Sequence, residues 1–326
     1  MSMSSRDVVV RTIKFIGAPR IPYDLPEQYG SDFYRVCMDP SPDARYNSGV
    51  DEWGAVWHNL GVSKLGQVKD VPLKDWKDFD RLSIPNIEDK ARWGVLEGIR
   101  DRAGDRFLLA RGIALYERVH FIRGLENTWI DIYQEREKLE NLIDILVEMN
   151  IYAIGKYSAA GADGFILFDD WGLQDKLMIS PNAWREIWKP RYEKVFRASH
   201  DAGLLNFLHC CGHITAIMDD LIQVGLDVIQ MDQQQNMGLE RLGESFGGRI
   251  CFWCPADIQG VMVNGTTDDI RAYCRQMVQT LGRPEGGFIA KWYEDYEGAG
   301  HSWEAIDAMS DEFLSISTDK DLKYTF

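Results

Sequence analysis

From about residue 100 onward the chain alternates short runs of aliphatic, β-branched and aromatic residues with longer stretches whose apolar positions recur every three to four residues. The first pattern predicts strands and the second predicts amphipathic helices. The predicted strands cover 107–113, 164–170, 206–212, 227–232, 250–257 and 287–292, and they start 57, 42, 21, 23 and 37 residues apart. Most gaps have room for one helix and a return loop. Ser180 at an N-cap with Pro181 behind it opens a helix whose stripe is Trp184, Ile187, Trp188, Arg191 and Val195 and whose stop is Gly203. Thr266, Thr267, Asp268 and Asp269 open another, with Ile270, Tyr273, Met277 and Leu281 as its apolar face and Gly282 as its end. Residues 136–161 predict a third. Before residue 100, Pro19, Pro22, Pro26, Pro40, Pro42, Pro72 and Pro85 break any long element, so this part is expected to be an irregular extension.

Repeated βα units without a low-complexity linker or a longer internal repeat predict one domain over 1–326, of the α/β class. The expected architecture is a (β/α)8 TIM barrel with an irregular N-terminal extension over the barrel mouth. An open doubly wound sheet is the competing architecture, but no GxGxxG or GxxxxGK[ST] follows a predicted strand.

Composition narrows the partners. Lys and Arg total 36 against 51 Asp and Glu, a net charge of −15, and no basic cluster relieves it. Nucleic acid and anionic membrane surfaces are excluded on that ground. No apolar run has the length of a signal segment or a membrane span, so a cytoplasmic location is expected. Six cysteines in 326 residues are too few for a disulfide scaffold, which turns attention to thiol or metal chemistry.

The strongest local signal is Asn206-Phe-Leu-His-Cys-Cys-Gly212. Alternate strand residues share a face, so His209 and Cys211 point one way and Cys210 the other. Imidazole and thiolate on one face at a strand's C-terminal end suit Zn2+. Cys251 and Cys254 have odd spacing and would face opposite ways, which argues against a redox pair. Only one of Asp169 and Asp170 can point inward. It could bind substrate, move a proton or satisfy backbone N–H groups. Arg111 ends its strand and could fork a carboxylate or phenolate, or brace a loop. Gln230, Asp232 and Gln233, and Asp257 with Gln259, also fall at strand ends.

These motifs together resemble the uroporphyrinogen decarboxylase-like superfamily, and within it the zinc-containing, corrinoid-dependent methyltransferases. The residues that carry the resemblance are Val50-Asp-Glu-Trp-Gly54, Phe168-Asp-Asp-Trp-Gly-Leu-Gln174, Ile179-Ser-Pro181, Lys189-Pro-Arg-Tyr192, Leu208-His-Cys-Cys-Gly212, Asp219-Asp-Leu-Ile222, Phe246-Gly-Gly-Arg249 and Gly286-Gly-Phe-Ile289. The resemblance implies a (β/α)8 barrel with zinc held by a His-x-Cys pair and a later cysteine, five residues past the Ile of the last motif. His209 and Cys211 match the pair, but five past Ile289 stands Glu294. A carboxylate can ligate zinc and keeps two negative ligands, so the expected metal set is His209, Cys211 and Glu294, with Asp295, His301 or Cys254 as substitutes.

The implied activity moves a methyl group from a small methylated substrate to a corrinoid carried on a separate protein, since Phe207-Leu208-His209 fails the cobalt-ligand motif and no spare module remains. An aromatic cluster of Trp53, Trp57, Tyr116, Trp171, Trp253, Trp292 and Tyr293 favours a methoxylated aromatic, giving an O-demethylase component. Expected substrate contacts are Trp53, Trp57, Tyr116, Trp171, Gln230 and Trp292, with Asp169, Asp170 and Arg111 as catalytic groups. Asp51, Glu52, Asp169, Asp170, Glu294 and Asp295 are expected to surround one cation at the mouth. The alternatives are a methylcobalamin:thiol methyltransferase, a porphyrinogen decarboxylase and a non-catalytic barrel. A homodimer is compatible with the sequence.

Overall fold

A computed structural model describes residues 3–40, 48–59, 61 and 66–318. Eight parallel strands form a nearly closed barrel: β1 Tyr23–Asp24, β2 Phe33–Cys37, β3 Phe107–Arg111, β4 Gly164–Phe168, β5 Leu205–His209, β6 Val228–Gln230, β7 Cys251–Cys254 and β8 Phe288–Lys291. From β2 to β8 neighbours in sequence are neighbours in the barrel, and β8 pairs with β1. At the remaining seam Asp32 donates its N–H to Tyr23 O at 2.9 Å, and Ser31 Oγ donates to Asp24 at 2.6 Å.

All six strands expected after residue 100 are present, each shorter than predicted. The two that periodicity missed, β1 and β2, lie in the proline-broken N-terminal part. β1 is two residues long, and β2 reads Phe-Tyr-Arg-Val-Cys, where Tyr34 and Arg35 hide the alternation. The capping box of the helix Thr267–Leu281 forms as predicted, with Thr266 and Asp269 exchanging hydrogen bonds. The helix opened by Ser180 and Pro181 is two helices, Pro181–Ile187 and Lys189–Asp201, because Pro190 has no N–H with which to continue the first.

The barrel interior follows from strand period. Inward positions Phe33, Phe107, Leu109, Ile166, Phe207, Val228, Cys251, Trp253 and Ile289 make one apolar cluster, closed below by Val9 and Ile13 of the helix Ser5–Ile13. The larger apolar layer lies between strands and helices, and Cys254 belongs to it. Cys251 and Cys254 therefore face opposite ways, as their spacing requires. An antiparallel sheet of Ser48–Val50, Val56–His58 and Gln67–Asp70 carries Trp57, whose ring meets Phe121 at 4.8 Å on the helix Tyr116–Arg123. A buried ion pair, Asp51 with Arg118 at 2.8 Å, joins it to the same helix.

Candidate metal centre

Above the apolar interior, the next inward positions of five strands are Arg111, Phe168, His209, Gln230 and Lys291, and all five line a cavity of about 550 Å³ at the C-terminal mouth. The period of two continues past three strand ends, so Asp170, Cys211 and Asp232 line the same cavity. The rest of the wall includes Arg35, Trp253, Tyr293, Glu294 and Asp295.

Asp170, His209 and Cys211 offer ligand atoms that all lie within 4.8 Å of one another, the one such group of three among the described residues. His209 Nε2 is 3.3 Å from Asp170 Oδ1 and 3.5 Å from Cys211 Sγ. Two glycines bring the loops after β4 and β5 this close. A Cβ on Gly172 would fall 2.3 to 2.6 Å from the backbone of Gly212 and His213, and one on Gly212, which has φ of +78°, would strike the backbone of Gly172. Across this contact Cys211 N–H donates to Asp170 Oδ1 at 2.8 Å, and Gly172 N–H donates to Cys211 O at 3.1 Å.

The donors suit a divalent cation of the zinc type, with one imidazole, one thiol and one carboxyl providing two anionic ligands. The local field agrees. Burial pushes the Cys211 thiol well above its ordinary range, and Asp170 and Asp232 add to it. A thiolate there needs a compensating cation. Burial works against the charged form of His209, but Asp170, with help from Asp232 and Gln230, raises its pKa overall.

The third donor differs from the expected one. Glu294 lines the cavity but lies outside the group of three and is ion-paired with Arg35, which also holds Asp24. Of the substitutes, Asp295 lines the wall without joining the group, His301 is bonded to Ile258 O at 2.9 Å, and Cys254 is buried behind the barrel.

Asp169, one residue before Asp170, points outward. It is fully buried and accepts hydrogen bonds from the N–H groups of Leu115, Tyr116 and Glu117 at 2.8 to 3.1 Å and from Tyr192 Oη at 2.6 Å. It therefore caps the helix Tyr116–Arg123 and does not reach the cavity. Burial pushes its carboxyl up to about 7, against the pull of Tyr192 and the backbone donors. Arg111 does line the cavity, its guanidinium 4.1 Å from the centre of the Phe168 ring.

The expected aromatic bed is largely elsewhere. Trp53, Trp57, Tyr116 and Trp171 are completely buried in the core, and Trp292 is outside the cavity lining. Tyr116 stacks on Trp171 at 3.9 Å, and Trp171 Nε1 donates to Tyr192 Oη at 2.9 Å. Trp253 and Tyr293, from the wider cluster, do line the cavity, as does Phe168, whose ring is 5.2 Å from that of His209. Gln230 is in the wall, bonded to His209. Of the acidic residues expected at the mouth, Asp51 and Asp169 are spent on buried bonds and Glu52 pairs with Arg92. Sequence reasoning passed over Arg35 and Lys291. Lys291 was legible as the inward position two after Ile289, and its Nζ is 3.3 Å from Asp232 Oδ1.

A model of the uroporphyrinogen decarboxylase (URO-D) family matches residues 67–292, and the chain belongs to that family. Among solved structures, it is similar to a methyltransferase from Methanosarcina mazei, with a TM-score of 0.72 and 15% identity over 96% of this chain and 99% of that one. A 3-keto-D-glucoside 4-epimerase from E. coli matches at a TM-score of 0.40 and 12% identity over 70% of this chain and 86% of that one. The superfamily read from the motifs is borne out, and the fold is shared along nearly the whole of this chain and of the Methanosarcina mazei protein. Among the described residues, no helix is long and apolar enough to cross a membrane.

Proposed function

We propose that the chain is a methyltransferase that moves a methyl group between a small methylated substrate and a corrinoid on a separate protein, using zinc held by Asp170, His209 and Cys211. The observation that carries this reading is the gathering of three metal-binding side chains, from two adjacent strand ends, on the wall of a cavity large enough for a small substrate. Zinc there would serve as a Lewis acid toward the heteroatom that bears the methyl group. The corrinoid would supply the cobalt that takes or gives the methyl.

The chain's own residues position and enclose the substrate. Phe168, Trp253 and Tyr293 offer aromatic surface against which a flat ring can pack. The apolar floor of Leu109 and Ile166 excludes water from beneath it. Arg111, braced over Phe168, supplies a fork for a phenolate or carboxylate. These features favour a methoxylated aromatic donor.

A decarboxylase reading would rely on several cations to hold substrate carboxylates, and of Arg35, Arg111 and Lys291 in the cavity wall, Arg35 is committed to Asp24 and Glu294, and Lys291 to Asp232. A barrel that lost its metal site would need its third ligand missing, and Asp170 stands in that place.

Metal analysis with an activity screen tests the reading. Purified protein is expected to carry about one zinc per chain and to pass methyl groups from methoxyaromatics to cobalt(I) corrinoid. His209→Ala and Cys211→Ser should lose both, whereas Glu294→Gln should keep its zinc. Metal-free protein with full activity would sink the proposal.

A further inference from the structure

Behind His209 runs a chain of polar groups whose members can bond in one sense only. His209 Nδ1 meets Gln230 Oε1, Gln230 Nε2 lies 2.6 Å from Asp232 Oδ1, and Lys291 Nζ lies 3.3 Å from the same oxygen. A carboxylate oxygen only accepts, so the Gln230 amide must turn its NH2 towards Asp232. Its carbonyl is then left for His209. A carbonyl oxygen only accepts too, so His209 Nδ1 carries a hydrogen, and Nε2 is the nitrogen that a metal would take. Nε2 is on the side of Asp170 and Cys211. Gln230, Asp232 and Lys291 are buried, which leaves their bonds little competition from water.

From this we infer that Gln230 is a positioning residue. It fixes the tautomer and ring orientation of His209 for metal binding, and the Asp232–Lys291 pair locks the Gln230 amide in the required sense. The inference rests on the metal reading given above. It takes Gln230 from the substrate contacts expected from sequence and makes it a partner of a ligand, a type of group whose loss commonly weakens metal binding about 10- to 100-fold.

The test is zinc titration of the full-length protein against a chromophoric chelator, alongside the absorption spectrum of the cobalt(II)-substituted form. Gln230→Leu removes the acceptor and should weaken zinc binding about 10-fold or more. It should also shift the cobalt ligand-field bands while leaving the thiolate-to-cobalt charge-transfer band in place. Gln230→Glu retains an oxygen for Nδ1–H and should recover part of the affinity, an outcome that a general packing defect would not give. Asp232→Ala, which frees the amide to turn, should fall between Gln230→Leu and the wild type. Zinc affinity of Gln230→Leu within twofold of the wild type, with an unaltered cobalt spectrum, would overturn the role of Gln230 while leaving the metal site standing. Failure of the wild-type protein to bind zinc would remove both.

Discussion

The two faces of the β4 and β5 strand ends carry nearly the same chemistry and put it to opposite uses. Outward, Asp169 and Cys210 meet Tyr116, Trp171 and Tyr192 in a region without solvent access, where Trp171 N–H reaches Cys210 Sγ at 3.3 Å. Inward, Asp170, His209 and Cys211 line a cavity. Residue type does not distinguish the carboxyls or the thiols, and position along the chain barely does. What differs is the surroundings, a closed core on one side and a cavity on the other. Asp169 has four donors on its two oxygens, and its work is to hold the loop between β3 and its helix. The inward trio brings its ligand atoms within 4.8 Å of one another on the wall of the cavity.

Replacing the two carboxyls one at a time should separate these uses. Asp169→Ala strands three backbone N–H groups and the Tyr192 hydroxyl in the core, and should cost about 3–5 kcal/mol. At a temperature where the variant stays folded, its zinc content should match that of the wild type. Asp170→Ala should change stability by only about 1 kcal/mol while zinc falls from about one per chain to near none. Denaturant unfolding and metal analysis on the same samples read both effects. Zinc lost from Asp169→Ala but kept by Asp170→Ala would reverse the assignment of the faces.

The same contrast explains what could be read from the sequence. Alternation along a strand is local, so His209 and Cys211 on one face, Cys210 on the other, and a single inward residue of the Asp169–Asp170 pair were all legible. Six barrel strands were legible because aliphatic runs with glycine stops are local as well. Which of the two aspartates points inward depends on where each strand ends, and the periodic pattern gives strand ends poorly. The third ligand was sought five residues past Ile289, just beyond β8, whereas the side chain that joins His209 and Cys211 is Asp170, just beyond β4, and that juxtaposition depends on the packing of two loops. The tryptophans misled for a related reason. Trp53, Trp57 and Trp171 stand beside polar motifs in sequence, but their large rings are buried behind those motifs. β1 and β2 were lost because prolines and a two-residue strand leave no period to detect.

Gly172 and Gly212 join the two faces, since the backbone contact between them lets Asp170 reach Cys211. Gly172→Ala must push the two loops apart, because its Cβ would lie 2.3 Å from His213 N. We expect a cost of about 2–3 kcal/mol, in the range of overpacked cores. Zinc affinity should fall more steeply than stability, because both displaced loops carry a ligand within two residues of the contact. Unchanged zinc affinity in a destabilised Gly172→Ala variant would show that the loop contact does not set the ligand spacing.

The smallest effect is expected at the opposite end of the barrel, where His200 Nε2 meets Asp227 Oδ2 at 2.7 Å. This His–Asp pair is closer than the one in the cavity, yet it has no thiol beside it, and the His200 side chain is 40% exposed. It should hold a proton, not a metal. The hydrogen bond and charge of Asp227 raise the His200 pKa above its ordinary 6.5, with burial opposing. The folded state therefore binds this proton more tightly than the unfolded state. The resulting stabilisation is fully present below about pH 6.5 and is lost as pH rises through the higher folded-state value. With solvent screening it amounts to about 0.5 kcal/mol. His200→Gln should flatten the fall in unfolding free energy above pH 6.5 by that amount and leave zinc content unchanged. A His200→Gln profile that overlays the wild type across this window would show that the pair contributes nothing to stability.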